Sequence, residues 1–340
     1  MKQFPDSPAQ PAFPQTRAWP AISVVMPILN EERHLREAVD QILAQAYPGP
    51  IEVVLAVGPS RDRTQEVADA IAAADPRVTV VANPTGRTPN ALNAAIGASR
   101  HEIIARVDGH AMLPDDYLRV AVETLEETGA DNVGGVMAAE GVTAFEQAVA
   151  RAMTSKIGVG SAAFHVGGTA GPADTVYLGV FRRSALKRVG GYDEHFQRAQ
   201  DWEMNHRIRE SGGLVWFQPR MRVTYRPRPN LRALAKQYFH YGRWRRVVAR
   251  THEGTINLRY LAPPAAVVAI AAGLLVSPFF PLALIIPGGY VLAITGGSMV
   301  TGSGLPARAR FALPFVYAAM HMSWGWGFLT SPRKLARPPR

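Results

Sequence analysis

Asp108-Gly109-His110 closes the short apolar run Ile103-Ile104-Ala105-Arg106-Val107. An apolar run that ends in an acid reads as a buried parallel strand. It delivers a carboxylate to the C-terminal edge of a sheet, where open α/β sheets bind ligands. His110, two residues on, falls on the same side of an extended backbone as Asp108. A carboxylate and an imidazole at that spacing suit a divalent cation, Mn²⁺ or Mg²⁺, whose shell is completed by phosphate oxygens of a nucleotide. The plainer reading is a loop aspartate capping the next helix, and the triplet alone leaves both open.

To present Asp108 in this way the chain must build a sheet from alternating strands and helices. Ile22–Ile28 is apolar and β-branched, and 31–46 carries Leu35, Ala38, Val39, Ile42 and Leu43 at helical spacing until Pro48-Gly49-Pro50 stops it. Strands are predicted at 51–57, 78–81 and 132–137, and helices at 62–74, 89–99 and 114–127. This alternation implies right-handed βαβ units and a mostly parallel, doubly wound α/β sheet. No G-x-G-x-x-G follows the first strand, which argues against a dinucleotide fold. Between 145 and 192 the chain turns Gly-rich, and it reads as a helix, a flexible loop over 158–175 that could act as a lid, and a strand into Arg182-Arg183. A helix over 199–211 carries Asp201-Trp202-Glu203.

The charge is divided along the chain. The formal net charge is +10, yet residues 220–260 hold eleven Lys/Arg against the single acid Glu253. Residues 261–340 add six bases and no acid, which leaves residues 1–219 at a net −6. Basic charge beside long apolar runs points to an anionic membrane surface and away from nucleic acid. Absence of cysteine excludes disulfides, thiolate metal sites and a cysteine nucleophile. The Pro-rich arm over residues 1–20 (Pro5, Pro8, Pro11, Pro14, Pro20) lacks the apolar core of a signal peptide, so the globular part is expected in the cytoplasm.

Over 231–250, Arg232, Lys236, His240, Arg243, Arg246 and Arg250 form one basic stripe. Leu231, Leu234, Tyr238, Tyr241 and Val248 form an apolar one. That is the composition of a helix lying in a membrane interface, with an ordinary surface helix as the alternative. The runs at 261–276, 279–300 and 311–329 each approach the ~20 residues that cross a bilayer, so about three spans are expected. A third crossing would place the basic tail outside, against the positive-inside tendency. The expected division is thus an arm (1–20), a catalytic domain (21–229), an interface segment (230–260), membrane segments (261–330) and a basic tail (331–340).

Taken together, Val25-Met26-Pro27-Ile28-Leu29-Asn30-Glu31, Arg106-Val107-Asp108-Gly109-His110 and Gly190-Gly191-Tyr192-Asp193-Glu194 leading to Gln200-Asp201 resemble the inverting glycosyltransferases of family 2. The match runs from about residue 22 to 246. It is closer to the bacterial succinoglycan-type exopolysaccharide enzymes, which share a segment like Gln237-Tyr238-Phe239-His240-Tyr241-Gly242-Arg243. The resemblance implies the GT-A nucleotide-sugar-binding fold and transfer of one sugar from a nucleotide donor, expected to be a UDP-sugar. The implied acceptor is a lipid-linked or membrane-proximal saccharide at the bacterial inner membrane, with the catalytic domain cytoplasmic and anionic lipids as partners.

The resemblance also distributes roles. Asp201 becomes the base that deprotonates the acceptor hydroxyl; taken without the family, it would be the N-cap of its helix. Asp108 and His110 hold the divalent metal. Pro27, Asn30, Glu31, Asp62, Arg87, Asn93 and Asp108 line the donor, and Gln237, His240, Arg243 and Trp244 face the acceptor or the membrane. Arg182-Arg183 and His165 are secondary candidates for phosphate. Two features depart from the family. Val57 and Gly58 stand where paired aspartates usually follow the second strand, so Asp62 either substitutes in base recognition or begins the next helix. Gln237 is not followed by Arg-Trp at the third and fourth positions, as in processive synthases, which favours single-sugar addition. A polyprenyl-phosphate glycosyltransferase and a non-catalytic nucleotide-sugar-binding subunit remain the alternatives.

Overall fold

A computed structural model of the chain describes residues 18–336, so most of the Pro-rich arm and residues 337–340 of the basic tail lie outside the described residues. The elements run β1 (Ile22–Ile28), α1 (Leu35–Leu43), β2 (Ile51–Val57), α2 (Thr64–Ala74), β3 (Val78–Ala82), α3 (Thr88–Ala98) and β4 (Ile103–Arg106). Then follow α4 (Tyr117–Thr128), β5 (Asn132–Ala139), α5 (Ala144–Met153), the single turns α6 (Lys156–Val159) and α7 (Ala163–Val166), β6 (Gly171–Pro172), β7 (Tyr177–Arg182) and α8 (Arg183–Val189). The chain continues through α9 (Gln200–Glu210), β8 (Val215–Tyr225), α10 (Leu231–Thr251), α11 (Leu258–Val276), α12 (Ile285–Thr301) and α13 (Ala307–Leu329).

The eight strands form one sheet in the order β3-β2-β1-β4-β7-β5-β8-β6. Strands β1 to β4 are mutually parallel, as expected of buried β-branched runs joined by helices. The other half is mixed: β7 runs antiparallel to both β4 and β5, β5 and β8 are parallel, and β6 is antiparallel to β8. Strand order reverses at β1, with β2 on one side and β4 on the other, which opens the crevice where such sheets take ligands. Asn30 and Glu31 leave β1 there, and Asp108 and His110 leave β4.

The stretch expected to be a flexible lid over 158–175 is ordered instead. It folds into α6, α7 and β6, and β6 pairs with Phe217 and Trp216 of β8. Arg182 and Arg183 are not free for phosphate either. Arg182 donates to the carbonyls of Leu125 and Ala130, and Arg183 to those of Ile96 and His101. They tie down the ends of α4 and α3, where helix carbonyls lack partners.

The C-terminal helices correct two expectations. Helix α10 turns Leu234, Tyr238, Val247 and Val248 inward, and its apolar face packs on α13, so that face is not available to lie in a membrane. Helix α13 in turn buries Leu313, Val316, Tyr317 and Met320 against Val149, Ala152 and Met153 of α5. It is therefore a core helix of the domain and no third span. Among the described residues, only Leu258–Val276 and Pro281–Thr301 are long and apolar enough to cross a membrane, and both are largely exposed. The two helices pack on each other as a hairpin before the chain re-enters the domain at α13.

Helices α10 and α13 cross closely because glycines face carbonyls. A Cβ on Gly242 would stand 1.9 Å from the Trp324 carbonyl oxygen, and one on Gly327 2.0 Å from that of Phe239. Gly242→Val is expected to force the pair apart and cost at least about 1–3 kcal/mol. The check is denaturant unfolding of the detergent-solubilised protein, with Gly288→Ala as control because a Cβ there would meet nothing within 4 Å beyond its own stretch of helix. Equal midpoints for both variants would reject the close crossing.

Candidate active site

Arg106 is the residue around which the site is arranged. It ends β4 with 4% of its surface exposed, and a buried guanidinium must be paired to persist. Its Nε and Nη2 donate to Asp108 Oδ1 at 3.3 and 3.1 Å, and its Nη1 donates to Asp201 Oδ1. Burial works against its charge, but Asp108 and Asp201 outweigh it and hold the guanidinium firmly protonated. One cation thus gathers a carboxylate from the end of β4 and another from the start of α9, 93 residues apart in sequence. The motif alone marks no role for Arg106; the signal is an arginine inside a four-residue apolar strand.

Neither acid is a helix cap. The N-cap of α9 is Ala199, left-handed at φ 60°, and it makes no side-chain cap bond. Asp201 sits in the first turn behind it, with 32% of its side chain exposed. Burial raises its pKa above the ordinary aspartate value, opposed by Arg106 and reinforced by Asp108. The helix after Asp108 begins at Asp116-Tyr117, so Asp108 does not cap it.

His110 and Glu31 close the other side. Nδ1 of His110 lies 2.8 Å from Glu31 Oε1, joining the ends of β4 and β1. That hydrogen bond raises the imidazole pKa, with further help from the Glu31 and Asp108 charges against burial. Gly109 makes the approach feasible: a Cβ there would meet Ile28 Cδ1 at 2.9 Å and Glu31 Cγ at 3.2 Å. No three His, Cys, Asp or Glu side chains form a complete cage among the described residues. Even so, Asp108 and His110 offer the oxygen and nitrogen donors a divalent cation takes. Holding Nδ1 with a carboxylate while Nε2 is left for a ligand is the usual arrangement around a metal-binding histidine.

The remaining donor-side candidates separate. Asn30 (φ 56°) and Glu31 are stitched to the loop after β2: Asn30 N–H donates to Ser60 Oγ at 3.0 Å, Arg61 N–H to Asn30 Oδ1 at 2.8 Å, and Glu31 N–H to Thr64 Oγ1 at 2.8 Å. Asp62 belongs to the same seam. It accepts from the Thr64 N–H at 3.1 Å and the Glu32 N–H at 3.3 Å, and the Thr64 hydroxyl bond leads in pulling its pKa down. Both carboxylate oxygens are engaged, so Asp62 holds the seam just ahead of α2, which starts at Thr64. Asn93 is likewise committed, clamping Tyr192 through its N–H (2.9 Å) and carbonyl (2.8 Å). That fixes the left-handed Gly190-Gly191 turn on α3. Pro27 lies inside β1 opposite Ala56, and Arg87 is exposed ahead of α3.

The acceptor-side candidates also divide. Trp244 is buried against Phe196, with ring centroids 6.1 Å apart, and works as packing. Gln237 donates to the hydroxyls of Tyr225 (2.8 Å) and Tyr241 (2.9 Å), and Arg243 lies over the Phe239 ring. His240 is half-buried, and burial, with Arg198, Arg243 and Lys236 nearby, lowers its pKa. His165 does not point to phosphate as a cation: burial drives its pKa down to about 3, so the ring is neutral.

Arg106→Met should leave two carboxylates facing each other without a counter-charge. A loss of about 3–5 kcal/mol is expected in denaturant unfolding. An unchanged midpoint would remove Arg106 from this role.

A family model described as Glycosyl transferase family 2 matches residues 23–190. The succinoglycan biosynthesis protein ExoA of Rhizobium meliloti (strain 1021) is 33% identical over 309 residues, which is 90% of this chain and 93% of the relative. A Methanococcus voltae protein is 23% identical over 322 residues, covering 90% and 95%; its name is dolichyl N-acetyl-alpha-D-glucosaminyl phosphate 3-beta-D-2,3-diacetamido-2,3-dideoxy-beta-D-glucuronosyltransferase. Among solved structures, mannosyltransferase PcManGT from Pyrobaculum calidifontis in complex with GDP-Man and Mn²⁺ aligns with a TM-score of 0.58 at 20% identity. That alignment covers 93% of this chain and 91% of the other.

Proposed function

The chain belongs to glycosyl transferase family 2 and has the GT-A fold, and on that premise we propose that it moves one sugar from a nucleotide-sugar donor to a lipid-linked saccharide, with inversion. It is a glycosyltransferase of polysaccharide or glycan biosynthesis, which sets the non-catalytic reading aside. The observation that carries the finer proposal is the pairing of Asp108 and Asp201 through Arg106 at the switch-point crevice.

Asp201 accepts the proton of the acceptor hydroxyl as that oxygen attacks the anomeric carbon. Partial burial makes it a stronger base than an exposed aspartate, and Arg106, a positioning residue, keeps it ionised and aimed. Attack opposite the leaving group inverts the centre, so an α-linked donor gives a β-linkage. Asp108 and His110 would hold Mn²⁺ or Mg²⁺, which when bound neutralises charge on the departing diphosphate. Glu31 fixes the His110 ring, and the seam between the loops after β1 and β2 shapes the donor side.

Two features favour a lipid-linked saccharide at a membrane. The apolar hairpin of α11 and α12 leaves from the side of the domain that carries the basic α10. The Methanococcus voltae relative is named for a dolichyl-linked sugar phosphate, a lipid already bearing sugar, which favours that acceptor over a bare lipid phosphate. We place the hairpin in the bacterial inner membrane, with the domain on its cytoplasmic face against anionic lipids.

Turnover of UDP- and GDP-linked hexoses by the detergent-solubilised protein, with and without Mn²⁺, tests the reading. Asp201→Asn is expected to lower kcat by roughly 10²–10⁴-fold with donor affinity little changed. Because the raised pKa of Asp201 must be exceeded before it can accept a proton, activity should fall on acidification at a pH above the ordinary aspartate range. Full turnover by Asp201→Asn would end the assignment of Asp201 as base. A pH profile flat down to the ordinary aspartate range would count against its tuning.

A further inference from the structure

A second basic site lies at the root of the apolar hairpin, and the chemistry assigned above does not use it. Arg245 of α10 is 6% exposed, sandwiched between Trp202 (4.0 Å to the ring centroid) and Tyr260 (3.9 Å). The two rings cover the faces of the guanidinium and leave its in-plane N–H groups. One Nη2 bond reaches the Thr255 carbonyl, while Nε and Nη1 are buried without a partner. Arg259, one residue into α11, also lies over the Tyr260 ring at 4.7 Å and donates to its hydroxyl at 2.6 Å; its Nε is also buried and unpartnered. Nδ1 of His165 and Nε1 of Trp202 complete a group of orphaned polar atoms.

Unpaired buried donors are rare because each forfeits its bonds to water. Buried cations are normally paired. Neither Arg245 nor Arg259 has a carboxylate partner among the described residues. Glu203 is taken by Arg207 and His252, and Asp174 holds Arg209 at 3.5 Å. Burial lowers the Arg245 pKa to about 10, with Arg259 adding to the fall and Tyr260 and the more distant Asp174 opposing it.

Beside Arg259 opens a recess of about 640 Å³, lined by that arginine, by polar Ser161, Asp174 and Asn257, and by apolar Leu258 and Leu261. Leu258 is 85% exposed and begins the first apolar helix. Trp202, which covers Arg245, directly follows the base Asp201. The site therefore combines cations lacking an anion, an apolar exit along a membrane helix, and a covalent link to the catalytic helix.

We propose that this recess seats the phosphate of the acceptor lipid, with Arg259 contacting the anion, Arg245 supplying positive field behind it, and Leu258 and Leu261 taking the first carbons of the chain. The inference rests on the lipid-linked acceptor proposed above, and it names where that lipid is held. Asp174 at the rim is the one acid that faces the anion, and its pairing with Arg209 moderates the repulsion.

The test is calorimetric titration of farnesyl diphosphate into the full chain held in phosphatidylcholine nanodiscs. Wild type is expected to bind, and Arg259→Gln to bind about tenfold or more weakly, as loss of a charge-assisted hydrogen bond predicts. Arg245→Met should weaken binding similarly; Arg259 is only half-buried, so its variant carries the test even if Arg245→Met does not fold. Equal affinities for wild type and Arg259→Gln would overturn the site. Inorganic pyrophosphate binding as tightly as farnesyl diphosphate would show a free-anion site and overturn the lipid assignment. Loss of farnesyl diphosphate binding in phosphatidylglycerol nanodiscs would show a bulk-lipid contact and overturn the acceptor assignment. Binding needs no sugar transfer: Arg259-dependent binding without donor turnover would sink the transfer reading and leave the site standing. Turnover with Arg259-independent binding would do the reverse.

Discussion

A guanidinium removed from water must be given charge in return, and in this chain Arg106 receives it from two directions. The demand is strict because the cost of burying an unpaired cation exceeds most single contributions to stability. Meeting it brings the end of β4 and the first turn of α9 to the same point, across the antiparallel β7 that lies between the two halves of the sheet. The left-handed Ala199, the Gly190-Gly191 turn and the Asn93 clamp all serve the path that lets α9 arrive there. Electrostatics and topology are one constraint here. The same cation holds the two carboxylates near each other at the crevice, the arrangement on which the proposed chemistry rests.

How much of this was legible in the residues depends on the range of the interaction that decides each feature. The parallel half of the sheet was readable because β-branched runs and helical periodicity are local signals, and Asp108 stood at a strand end by the same logic. The mixed half was not. Nothing within β7 itself distinguishes a parallel from an antiparallel partner, and the Gly-rich stretch before it reads as loose until β6 finds β8. An apolar run of near-spanning length grouped α13 with the two membrane-length helices, although it is the least apolar of the three and α5 and α10 are what cover it.

Side-chain roles followed the same division. Types and spacing singled out Asp108 and His110, the family resemblance pointed to Asp201, and the fold brings Asp108 and Asp201 onto one guanidinium. Three-dimensional contacts give Asp62, Asn93, Gln237 and Trp244 partners within the fold that no local pattern shows. Asn93 shows the reason: its amide is spent on Tyr192, 99 residues away, and no window along the chain reveals that. Arg106 illustrates the converse, since an ion in a strand core announces that acids must be near without saying which.

Because α13 packs into the domain after α11 and α12 have left and returned, the apolar hairpin is an insertion within the fold and not a tail added to it. Synthesis runs from the N-terminus, so α5 and α10 wait with an uncovered face until the hairpin has been made and α13 has come back to fill it. Completion of the catalytic domain is thereby tied to placement of the hairpin: a chain that has not housed its two apolar helices has not finished the fold that carries its chemistry.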